Sequence, residues 1–198
     1  MITRDKYGII VQQPSMDGGD SAARMGLYAL TDDKDLSLFK EPETGLLVRH
    51  PFQEMWNTSR KTSRDQLVQF CVSDNTAPKE IALRYCKKWF INKDFLSPAV
   101  RLYLYKRADL KVPLWLKALG YTEMLLSLVW NTKIKPQEEM NQYACMCIVY
   151  GPWFSKQFIK WHPDIYLNIS SYWDGWRDQA EVGDILRKAL YTKAAQDE

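Results

Sequence analysis

Histidine, cysteine and glycine are scarce in this chain, and each scarcity removes a class of chemistry. Only His50 and His162 can supply imidazole, and the cysteines are Cys71, Cys86, Cys145 and Cys147. Cys145 and Cys147 flank a single residue, which on a helix sends their sulfurs to different faces, so a structural zinc site is not expected. The 9 glycines form no Gly-x-x-x-x-Gly-Lys loop, no Gly-x-Gly-x-x-Gly fingerprint and no Gly-x-Ser-x-Gly elbow. No cofactor and no metal are therefore expected. Asp17-Gly18-Gly19-Asp20 carries two carboxylates but falls far short of an EF-hand loop. A charge excess of one sign is also missing. The 27 basic and 24 acidic residues are well mixed and leave +3, which is no footprint of a dedicated nucleic-acid binder. The opening Met1-Ile2-Thr3-Arg4-Asp5-Lys6 lacks the apolar core of a secretory signal. With all four cysteines inside apolar patterns, that predicts reduced thiols and a cytoplasmic location. The longest apolar run, Val112 to Trp130, contains Lys117, Gly120 and Glu123, so it reads as a helix buried in a core and not as a membrane span.

What is present is apolar and aromatic. A hydrophobic fraction of 46% in 198 residues supports one compact domain over 1–198, with residues 1–13 as an extended arm and 193–198 as a frayed tail. The 8 Trp, 11 Tyr and 7 Phe can fill gaps between helices or form stacking surfaces for sugars, bases or partner proteins.

The pattern along the chain is helical. Asp20 or Ser21 can cap a helix through Leu30, with Arg24 one turn beyond Asp20. Leu36 to Arg49 carries two short apolar runs around Glu41-Pro42-Glu43-Thr44-Gly45, which predicts a small β-hairpin. Ser63-Arg64-Asp65-Gln66 has the form of a capping box before Leu67-Val68-Gln69-Phe70. Pro78, Pro98, Pro113, Pro136 and Gly151-Pro152 punctuate further helices, and Val182, Ile185, Leu186 and Leu190 form one face of a last one. The expected fold class is mainly α: an irregular antiparallel helical bundle or partial α/α array with one small hairpin near residues 36–49.

Polar residues that are hard to explain as ordinary surface gather at two helix starts and the hairpin exit. Helix N-termini offer unpaired N–H groups to carboxylates, phosphates or sugar hydroxyls. If the hairpin brings His50 between them, Asp20 and Asp65 would act as ionised bases or nucleophiles and His50 as the proton shuttle. Arg24, Arg49 and Arg64 would hold an anionic group, with Ser63 and Gln66 contributing hydrogen bonds. Trp173 and Trp176 would offer a stacking platform for a glycan. Each piece also has a structural explanation, as cap, ion pair or loop hydrogen bond.

The order Asp17-Gly18-Gly19-Asp20-Ser21, then Arg49-His50-Pro51, then Ser63-Arg64-Asp65-Gln66 resembles a pattern in small helical proteins encoded by bacteriophages, across the first third of the chain. The resemblance implies a phage setting, hence host-cell cytoplasm or virion, and attaches no activity. Two functions are expected from different classes. One is a hydrolase or lyase acting on a carbohydrate-like polar substrate. The other is a non-enzymatic virion-structural or host-interaction protein, whose aromatic surface joins an assembly.

Overall fold

The computed structural model describes residues 2–11, 18–32, 34–52, 62–87, 96–130, 137–167 and 180–197. Among them are nine α-helices: α1 (Ser21–Tyr28), α2 (Arg64–Phe70), α3 (Thr76–Lys87), α4 (Pro98–Arg107), α5 (Leu114–Trp130), α6 (Gln137–Tyr150), α7 (Pro152–Trp161), α8 (Pro163–Leu167) and α9 (Ala180–Ala194). Proline opens α4, α7 and α8 at the first helical position, where its missing N–H would have had no partner in any case. Before α4, the Ser97 hydroxyl accepts from the Val100 N–H at 3.4 Å.

α6 is the hub. It packs on α2, α4, α7 and α9, and Ala144, Cys145, Met146 and Cys147 are all buried. α1 lies on α2, α9 closes onto α1 and α7, and α3, α4 and α5 follow one another along one side. Two glycines set the closest approaches. A Cβ on Gly26 of α1 would stand 2.3 Å from the Phe70 Cα of α2, and one on Gly120 of α5 would stand 2.7 Å from the Leu102 Cβ of α4. Tyr103 of α4 and Tyr150 of α6 sew the layers together by donating to buried carbonyls of Val68 (2.6 Å) and Ala99 (2.8 Å).

Three expectations are corrected. Residues 36–49 do not form a β-hairpin: Ser37–Phe39 is a 3-10 turn and the return is a single antiparallel bridge between Lys40 and Leu47. The first arm is consumed by that turn, which buries Phe39 and leaves too few residues to pair. Within residues 1–13, the described 2–11 do not extend as an arm. They fold back through Gly8 (φ 78°) and a bridge between Arg4 and Ile10, and they bury Ile9, Ile10 and Val11. The last helix runs to Ala194 and is followed by a 3-10 turn over Ala195–Asp197. Finally, α5 is not buried all round. Leu116, Gly120, Met124 and Leu128, spaced one turn apart, face inward, while the opposite side meets solvent. No helix among the described residues is long and apolar enough to cross a membrane.

Candidate functional site

The three polar segments singled out in the sequence do meet, at the start of α1. Asp20 occupies the N-cap position but its side chain does not cap. The first N–H groups of the helix are satisfied otherwise. Ser21 N–H donates to the Gly18 carbonyl at 3.0 Å, Ala22 N–H to the Arg49 carbonyl at 2.9 Å, and Arg24 N–H to the Asp20 carbonyl at 3.2 Å. The Gln66 side chain reaches across from α2 to accept from the Ala23 N–H at 3.1 Å. A helix start whose donors are all taken has none left for a phosphate or a sugar hydroxyl, so the expected anion cradle at α1 is absent.

Gln66 is therefore a bridge between helices and not half of a capping box. Ser63 stands at the N-cap of α2 in extended conformation, again without a side-chain cap. The Gln66 amide nitrogen also donates to Asp20 Oδ1 at 2.6 Å. The fully buried Arg24 has its Nη2 3.6 Å from Asp20 Oδ2. Arg49 approaches Asp20 Oδ1 at 3.9 Å and donates to the Gly19 carbonyl at 3.2 Å. Asp20 thus sits among two guanidinium groups and one amide, and its carboxylate offsets part of the charge of the buried Arg24. Asp20 and Arg49 keep partial exposure, 34% and 22% at the side chain.

His50 points elsewhere. Its Nδ1 accepts from the Phe52 N–H at 3.1 Å, which leaves the ring proton on Nε2, facing Asp5 Oδ2 at 2.9 Å. Both side chains are fully buried. Asp5 Oδ1 accepts from the N–H groups of Tyr7 (2.8 Å) and Ile9 (2.9 Å), so the pair staples the amino-terminal turn beneath the Arg49-His50-Pro51 segment. A proton shuttle needs a path to substrate, and this imidazole is sealed between Asp5 and the rings of Phe39 and Phe52.

Of the remaining expected site residues, Arg64 turns to α6, where its Nε donates to Gln142 Oε1 at 3.1 Å. Asp65 lies partly exposed in the first turn of α2 and takes no part in the described bonds of the junction. Trp173 and Trp176 lie outside the described residues. The structure thus brings Asp20, Arg24, Arg49 and Gln66 together and sends His50, Arg64 and Asp65 to other surroundings. Asp5 was missed. Its signal was present, since an aspartate three residues before a glycine is a common way to pin a tight turn.

Two further features lie away from this junction. A small cleft of about 50 Å³ opens among α3, α4 and the start of α5, lined by Tyr85, Cys86, Arg101, Tyr105 and Trp115. Burial pushes the Cys86 thiol up to about 12, so it is no ready nucleophile there. The outer side of α5 exposes Leu114 (82%), Trp115 (55%), Leu119, Leu125, Leu126 and Val129 (56%). Among the described residues no group of three or more His, Cys, Asp or Glu is placed to hold a metal ion. Comparison with known proteins gives no match: no family model, curated sequence or solved structure resembles the chain significantly.

Proposed function

We propose that the protein is a non-enzymatic interaction component that docks another protein chain through α5, in the phage setting its early segments suggest, as a virion or host-directed part. The observation that carries this reading is the outer side of α5, where six large apolar side chains stand in water along one helix. Monomeric proteins seldom leave such a continuous patch uncovered, because each exposed side chain forgoes about 1.5–3 kcal/mol of burial. The exposed Trp153 of α7 extends it: its ring packs edge-on against Phe154, which stacks on Tyr121 of α5 at 5.5 Å between ring centres. The test is affinity capture from producing cells, comparing the wild type with the double variant Leu119→Glu, Leu125→Glu. A stoichiometric complex lost in the variant is expected. Equal capture by both would remove α5 from the function.

The second reading, a hydrolase or lyase for a carbohydrate-like polar substrate, rests on the partly exposed Asp20 carboxylate between Arg24 and Arg49. It predicts saturable shifts of the Ala23 amide resonance on titration with neutral and acidic oligosaccharides. An unmoved resonance at millimolar sugar sinks it.

A further inference from the structure

We infer that the chain forms a two-fold symmetric dimer in which α5 packs antiparallel against α5 of a second copy. This deepens the interaction reading above and rests on it, by naming the partner of that surface.

The exposed positions of α5 are arranged symmetrically about Thr122. Three residues to either side stand Leu119 and Leu125, four to either side Ala118 and Leu126, and seven to either side Trp115 and Val129, all exposed. Steps of three and four residues are the spacing of a helix–helix seam. An antiparallel two-fold through Thr122 therefore sets Leu119 on Leu125 of the second copy, the small Ala118 under Leu126, and the large Trp115 against Val129. Trp115 meets the smaller Val129 and Leu126 the smaller Ala118, while Leu119 meets Leu125, a set of sizes that can interdigitate.

A parallel in-register pairing would set Trp115 onto Trp115, a poorer fit than Trp115 against Val129.

The area is also adequate. The 17-residue helix is about 25 Å long. Its six large exposed apolar residues present on the order of 600 Å². With Ala118 and Thr122 added, the seam approaches the ~800 Å² that each partner of a stable complex contributes.

The experiment uses the full chain. Sedimentation equilibrium should give twice the 23.2 kDa chain mass for the wild type. It should give a two-fold lower mass for Leu119→Glu, Leu125→Glu, whose helical circular dichroism should be retained because both sites face solvent. Two cysteine variants read the geometry: Thr122→Cys should cross-link copies on mild oxidation, whereas Val129→Cys should not, since position 129 faces Trp115. A wild type monomeric at 100 μM (a concentration set by the experimenter, about the weakest affinity a specific pair would show) overturns the dimer. So does cross-linking of the Val129→Cys variant without cross-linking of Thr122→Cys. If that monomer still enters an α5-dependent complex with another protein, only the dimer fails, while a monomer with no such complex removes the interaction reading too. A monomer that co-sediments with vesicles of phosphatidylglycerol and phosphatidylethanolamine, and loses this in the double variant, assigns the face to lipid and overturns the dimer.

Discussion

One carboxylate, that of Asp5, receives the His50 ring and two backbone N–H groups in a site closed to water. Removing it takes the acceptor from two buried donors, the His50 ring and the Ile9 N–H, each worth about 1–3 kcal/mol when left unpaired, and from the part-buried Tyr7 N–H. Asp5→Ala is therefore expected to cost about 3–5 kcal/mol, read as a lowered urea midpoint at unchanged slope. A loss below about 1 kcal/mol would mean the turn is not fastened through Asp5. At this scale the sequence was half legible. Asp20 and Arg24 are one helical turn apart and do pair, a consequence of helical spacing alone. That Gln66 would leave its own helix end to bridge α1 depends on where α2 lies, which no local pattern encodes.

Helix pairs are set by how closely their backbones can approach. Gly26 shows the balance best, because alanine is the better helix former by about 1 kcal/mol yet its Cβ would fall 2.3 Å from the Phe70 backbone. Main chain cannot step aside as a flexible side-chain tip can, and separating α1 from α2 would also strain the Gln66 bridge. Gly26→Ala is expected to lower stability by about 2–3 kcal/mol, and calorimetry should show a drop in the thermal midpoint. A raised midpoint would mean that propensity outweighs packing there. Helix boundaries were the most readable feature, because Pro98 and Pro152 mark their own positions. The burial of α5 was misread for a physical reason: an apolar composition measures how much surface a helix would like to cover, not whether its own chain covers it. The hairpin was misread because turn residues at 41–45 fix the reversal but cannot ensure that the arms are long enough to pair.

Across the whole molecule the helical class was legible, since period and punctuation agree over most of the chain. The order of the three early segments was legible, but not which of their side chains would meet. What their meeting does was not, because the same residue types serve a reactive site and a structural junction, and only the hydrogen-bond inventory at α1 tells them apart. The contact of α9 with α1 bears on how the chain folds. These helices come from opposite ends of the described sequence, so their contact closes the widest loop in it. Closing such a loop costs only about 0.6 kcal/mol more for each doubling of length, but it pays back nothing until both ends are in place. The junction of Asp20, Arg49 and Gln66 closes only short loops within residues 18–66, so it can form before α9 docks on α1, the step with the longest-range contacts and the slowest search.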